Sequence, residues 1–158
     1  MARLTGISRN MSAFLDMIAI SELGVALIRE SDDGYNVLVG STAAKPLLFR
    51  SYATHPDVYN RALNSDAAGA YQFMARYWPY YRDRLGLADF GPVSQDRWAI
   101  EMIRECGAVA AIEAGRITQA IGLCKSRWAS LPGAGYGQHE HTAGYLVAAY
   151  QGAGGVMA

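Results

Sequence analysis

The stretch Met11-Ser12-Ala13-Phe14-Leu15-Asp16-Met17-Ile18-Ala19-Ile20-Ser21, followed by Glu22 and Gly24, constrains the fold most. Residues in a helix advance by about 100° each, so Leu15, Ile18 and Glu22 fall on one narrow sector. The pattern predicts a core helix over 11–21, capped by Asn10 or Ser12 and ended by Gly24. A carboxylate on the apolar stripe of such a helix needs either a neutralising partner or a use for a raised pKa. The second option makes Glu22 a candidate proton donor. The plain alternative is a surface acid on the last turn of an ordinary core helix.

The pattern then changes. Ser31-Asp32-Asp33-Gly34 reads as a turn. Tyr35-Asn36-Val37-Leu38-Val39 and Pro46-Leu47-Leu48-Phe49-Arg50-Ser51-Tyr52 are β-branched or aromatic and read as a hairpin, with room for a third short strand. Residues 54–66 are polar and read as a long loop or lip around His55-Pro56. Helices are expected afterwards. One starts near Arg76, with Pro79 in its first turn, and ends at Gly86. Another is capped by Ser94 and closed by Gly107. A short turn begins at Ile112. Further helices are expected over 117–128 and 139–151, and Gly152–Gly155 should fray. One small antiparallel sheet in the N-terminal third of a mostly helical chain predicts the α+β class, in a single domain over residues 1–158.

A chain of 158 residues can bury a real core without metal or disulfide support. Lys plus Arg and Asp plus Glu are balanced at 14 each, which gives no basic excess for nucleic acid. No stretch approaches the ~20 apolar residues of a membrane span, and no secretory signal pattern is visible at the N-terminus. Cys106 and Cys124 have no zinc spacing. They read as two small buried side chains or as a disulfide.

The motifs weigh unevenly. His139-Glu140-His141 places its two histidines on different helix faces, so a metal chelate is not expected. Asp32-Asp33 is a solvated turn or a carboxylate reaching a cleft. Gly133, Gly135 and Gly137 surround Tyr136 in a loop without the Lys-Ser/Thr of a phosphate cradle. That loop either connects helices or brings backbone and the Tyr136 ring close to a ligand. Six aromatics between Tyr71 and Tyr81 exceed what one buried face can take, so some are expected to line a groove.

The segment Trp128-Ala129-Ser130-Leu131-Pro132-Gly133-Ala134-Gly135-Tyr136-Gly137-Gln138 resembles the lambda-type phage endolysins. Ala13-Phe14-Leu15-Asp16-Met17 leading to Ser21-Glu22, Gly34-Tyr35-Asn36-Val37-Leu38-Val39-Gly40, Gly69-Ala70-Tyr71-Gln72, and Leu85-Gly86-Leu87 with Ser94-Gln95-Asp96 agree in order. The resemblance spans residues 11 to 155. It implies a lysozyme-like fold and a lytic transglycosylase that cuts the MurNAc-β-1,4-GlcNAc bond of peptidoglycan, leaving 1,6-anhydro-MurNAc without metal or other cofactor. It also implies that Glu22 is the catalytic acid and base, and that Tyr35, Asn36, Gln72, Tyr136 and Gln138 bind glycan. This chain departs from the family pattern at Leu23-Gly24 after the glutamate, at Asn36, at Ala70 and at Leu123.

One strongly placed carboxylate suits a transglycosylase, whereas common glycosidases use two. The runner-up is a hydrolytic muramidase that uses water with Asp32 or Asp33. An alternative of another class is a non-catalytic peptidoglycan-binding module. The resemblance further implies a monomer that gathers in the host cytoplasm and reaches the periplasmic cell wall after holin-dependent release, without inserting in the membrane.

Overall fold

The computed structural model describes residues 2–135, 137 and 140–158. These gather into two compact units. The first comprises the residues up to Glu22 together with Ala99–Ala158, and the second is Leu23–Trp98.

In the first unit, α1 (Arg9–Leu23, its last residue in the second unit) carries buried side chains at nearly every position from Met11 to Ile18. A helix apolar on all sides belongs in an interior. It begins two residues before the expected start because Ser8, rather than Asn10 or Ser12, accepts the Met11 N–H at 3.0 Å. Asn10 has a different task. Its Nδ2 donates to the Ile112 carbonyl at 3.1 Å, and its Oδ1 accepts the Val156 N–H at 2.9 Å.

That bond is part of a correction at the C-terminus, which does not fray. The Tyr150 hydroxyl donates to the Val156 carbonyl and the Ala158 N–H to the Gly115 carbonyl. Gly155 lies against the Tyr150 ring so closely that a Cβ there would sit 2.2 Å from the ring. The remaining elements of this unit are the second half of α4 (Pro92–Glu105), α5 (Val109–Glu113), α6 (Ile117–Cys124) and α7 (Ala143–Gly152). The expected turn at Ile112 is the short helix α5. The helix expected to reach Trp128 stops at Cys124, well before Pro132. The one expected from His139 begins at Ala143, where Thr142 caps it by accepting the Tyr145 N–H at 3.2 Å.

The second unit holds α2 (Val25–Arg29), a 3₁₀ turn (Ala75–Tyr77), α3 (Trp78–Leu85) and the first half of α4. Pro79 sits in the first turn of α3, and Gly86 ends it in the left-handed region, both as expected. Helix α4 starts at Pro92. Ser94 is not its cap, and its hydroxyl donates instead to Asp89 at 3.1 Å.

The expected small antiparallel sheet is corrected. Among the described residues there is no strand, only isolated antiparallel bridges. Val37 bridges Leu48 while the next residue, Leu38, bridges Ala68, so successive residues pair with different segments and no ladder extends. The pairing is nonetheless real: Leu38 N–H donates to the Leu47 carbonyl, Phe49 N–H to Asn36 and Gly69 N–H to Val37.

The aromatic run divides. Tyr71, Phe73, Trp78 and Tyr81 are buried, and Tyr77 and Tyr80 are exposed. Phe73 stacks on Trp98 at 3.9 Å between centroids, and Tyr81 stacks on the same indole. The 54–66 loop is tied to this cluster. The Trp78 indole N–H donates to Thr54 at 2.9 Å. Buried His55 contacts the Phe90 ring, and its Nε2 donates to the Phe73 carbonyl at 2.8 Å while its Nδ1 accepts the Asp57 N–H. Burial therefore pushes the His55 pKa down.

Candidate active site

Glu22 stands on the last turn of α1 and is half-buried. The chain after α6 makes a turn whose two anchors, Trp128 and Leu131, are both buried. Between them Ser130 is turned toward the glutamate. Its hydroxyl donates to Glu22 Oε1 at 2.6 Å, and its backbone N–H bonds to the same carboxyl. The Ser21 hydroxyl lies 2.7 Å from the Ser130 hydroxyl. Burial pushes the Glu22 pKa up to about 7, even though both Ser130 bonds favour the charged form and pull it back. The carboxylate on the apolar stripe is thus a group with a raised pKa, and among the described residues no charged partner contributes to that shift.

Two further residues close the loop after Ser130. His141 donates its backbone N–H to the Ser130 carbonyl at 3.0 Å. Its Nε2 lies 3.1 Å from the Ser21 carbonyl, which can only accept, so Nε2 carries the proton. Glu140 accepts the N–H groups of Gly133 and Gly135, both at 2.8 Å, one on each carboxyl oxygen. Those two bonds hold its pKa below the usual carboxylate value. Ser130, Glu140 and His141 carry tasks that sequence reading did not assign to them. A turn anchored by a Trp and a Leu beside the glycine-rich loop was the available signal for Ser130. Tyr136 and Gln138, expected to bind glycan, lie outside the described residues, as does His139.

The other expected glycan contacts belong to the second unit. Tyr35 is placed differently from expectation. It is 1% exposed, and its hydroxyl donates to buried Asp96 at 2.7 Å. The Tyr71 hydroxyl reaches the same Asp96 oxygen at 2.6 Å. Tyr35 is thus a core residue, committed to a carboxylate. Asn36 is half-buried, and its side-chain oxygen accepts the Asp32 N–H at 3.0 Å, fixing the turn before it.

Gln72 is half-buried and adopts φ 49°, a left-handed conformation uncommon outside glycine. Residues held in such conformations cluster at functional sites, because the surroundings must enforce them. The enforcing contacts are visible. Gln72 donates its Nε2 and its backbone N–H to the Gly69 carbonyl. Buried Gln95 accepts the Ala70 N–H at 3.0 Å and donates to the Tyr35 and Phe90 carbonyls. Gly69 is required here: at φ 83°, a Cβ would lie 2.1 Å from the Gln95 oxygen.

Asp32, the alternative second carboxylate, accepts the Tyr52 hydroxyl at 2.6 Å. Asp33 takes φ 50° in the turn. Cys106 and Cys124 are free thiols in contact with one another, not joined in a disulfide, and burial raises the Cys124 pKa. Among the described residues no group of three or more His, Cys, Asp or Glu side chains is placed to hold a metal ion. No described helix is long and apolar enough to cross a membrane.

Comparison with known proteins shows the family and the fold. The family described as Endolysin matches residues 12–157. The endolysin of Escherichia phage P2 is 48% identical over 158 residues, covering 95% of this chain and 96% of its own. The endolysin of Escherichia phage lambda is 46% identical over 156 residues, covering 96% and 95%. A solved structure of bacteriophage lambda lysozyme complexed with a chitohexasaccharide superposes with a TM-score of 0.88 at 45% identity, covering 98% of this chain and all of that one. A second lambda lysozyme structure gives a TM-score of 0.83. The fold is that of lambda lysozyme, mostly helical, and the chain belongs to the phage endolysin family.

Proposed function

We propose that this endolysin is a peptidoglycan lytic transglycosylase in which Glu22 serves first as general acid and then as general base. The observation that carries the reading is a half-buried carboxyl whose pKa burial pushes up to about 7, bonded to the hydroxyl and amide of Ser130 and to no cation among the described residues. At pKa about 7, roughly half of Glu22 holds a proton at pH 7, against ~0.3% for an ordinary glutamate near 4.5. An acid matched to the working pH gives up its proton and recovers it with little loss in either direction.

The steps follow from one such group. Glu22 protonates the glycosidic oxygen between MurNAc and GlcNAc, and the C1–O bond breaks with its electron pair leaving on that oxygen. The MurNAc C6 hydroxyl then attacks C1. Glu22, now a carboxylate, takes that hydroxyl's proton and returns to its starting state. The product end is 1,6-anhydro-MurNAc, and no water is consumed. The nucleophile belongs to the substrate, so no second carboxylate is required. The lambda lysozyme complex with a chitohexasaccharide supports a glycan strand as substrate class. Gln72, Asn36, Tyr136 and Gln138 are the proposed glycan contacts. Tyr35, buried with its hydroxyl on Asp96, is not proposed among them.

Mass spectrometry of digested sacculi tests this. Ends lighter than a reducing MurNAc by one water are expected. Reducing MurNAc ends throughout would instead establish a hydrolytic muramidase, with Asp32 or Asp33 as second carboxylate. A Glu22→Gln protein that binds sacculi as before, beside a wild type that releases no fragments, would establish a binding module. We also propose a monomer that gathers in the host cytoplasm and reaches the wall through a holin-made lesion. Lysis that proceeds at the same time with and without a co-expressed holin would overturn that route.

A further inference from the structure

We propose that Ser130 is a positioning residue for Glu22: it keeps Oε1 as a hydrogen-bond acceptor and so leaves the transferable proton on Oε2, while Ser21 fixes the direction of the Ser130 hydroxyl. This rests on the reading of Glu22 as the acid. A serine hydroxyl has one proton to give. The Ser130 proton goes to Glu22 Oε1 at 2.6 Å. The 2.7 Å contact between the Ser21 and Ser130 hydroxyls must then be donated by Ser21. A proton on Oε2 leaves both of these bonds in place, whereas a proton on Oε1 weakens that oxygen as an acceptor or requires both serine hydroxyls to turn round. The acid form therefore carries its hydrogen on Oε2.

The surroundings hold this chain of donors in place. Ser21 and Glu22 are adjacent on α1, so their separation is set by the helix. Ser130 is held between buried Trp128 and Leu131. The loop that follows is returned by His141, which bonds to the Ser130 carbonyl through its N–H and to the Ser21 carbonyl through Nε2. Both serines are thus fixed through main chain as well as side chain. Ser130 stabilises the carboxylate through its bonds, and its removal raises the Glu22 pKa further.

The test uses the full chain acting on soluble, uncross-linked peptidoglycan strands, with four variants: Glu22→Gln, Ser130→Ala, Ser130→Thr and Ser21→Ala. Ser130→Ala is expected to lower kcat by about tenfold to a hundredfold, the loss of one hydrogen bond to a charged group, with KM unchanged. The alkaline limb of its kcat–pH profile should move to higher pH. In isotope-edited infrared spectra, the C=O stretch of protonated Glu22 should rise in frequency, because Oε1 has lost its donor. Ser130→Thr restores the hydroxyl and should return kcat and the infrared band toward wild type. Ser21→Ala should lower kcat severalfold and still leave KM alone, and it carries the test if Ser130→Ala does not fold. A folded Ser130→Ala or Ser21→Ala with wild-type kcat, pH limb and infrared band overturns the proposal. If Glu22→Gln retains wild-type cleavage, it is the reading of Glu22 itself that fails, and the two failures are distinct.

Discussion

Two desolvated carboxylates, one in each compact unit, meet different fates. Asp96 is wholly buried and accepts the hydroxyls of Tyr35 and Tyr71 on one oxygen, at 2.7 and 2.6 Å. Glu22 is half-buried, and its donors are the hydroxyl and amide of Ser130. Asp96 ties residues from three sequence regions into one core, and the desolvated Tyr71 hydroxyl beside its charge has a raised pKa, so the tyrosine keeps its proton. Glu22 is left with its pKa pushed up to about 7. A buried carboxylate becomes a structural tie or a proton donor according to its bonded partners and its access to solvent, and burial alone does not distinguish the two.

The largest effect that could break this contrast is on activity. Glu22→Gln should reduce the release of glycan fragments by about a thousandfold, within the range for loss of a general acid. It should also stabilise the protein. Glu22 has its folded pKa raised from 4.5 to about 7, so the stability due to its protonated form is fully present below 4.5 and is lost as pH rises through 7. Denaturant melts should therefore show Glu22→Gln level with wild type at pH 4 and about 2–3 kcal/mol more stable at pH 8. Equal stability at both pH values would show that the carboxyl is not desolvated.

Asp96→Ala should do the opposite, costing about 3–5 kcal/mol by orphaning two buried hydroxyls while leaving the acid itself in place. Tyr35→Phe and Tyr71→Phe, measured by urea unfolding, should each cost about 1.5–3 kcal/mol, and a double-mutant cycle should show them to be coupled through Asp96. Additive losses would mean that the two tyrosines do not share the aspartate energetically. Smallest is Thr142→Ala, expected to lower stability by about 1 kcal/mol through loss of the α7 cap. Its kcat should remain at wild type, because the loop ahead of it is held by Glu140 and His141.

Much of the fold was legible from local rules. The core helix, Pro79 inside the first turn of α3 and the left-handed stops at Gly86 and Gly107 each depend on backbone sterics that a short window contains. The β-rich segment misled because β-branched residues favour extended backbone, whereas ladder growth depends on which distant segment each residue meets. Val37 and Leu38 meet different ones. The C-terminal glycines misled for a related reason. Gly155 is there for close approach to the Tyr150 ring, not for flexibility.

The amino-acid sequence by itself determined the periodicity that puts Glu22 on an apolar stripe, the absence of a charge excess, and the motifs shared with the endolysins. Only the tertiary structure decided that Ser130, more than a hundred residues away, would bond to that carboxyl, and that Tyr35 would turn inward to Asp96. Periodicity is a property of neighbours along the chain. Desolvation and hydrogen-bond supply are properties of neighbours in space, and these set a pKa.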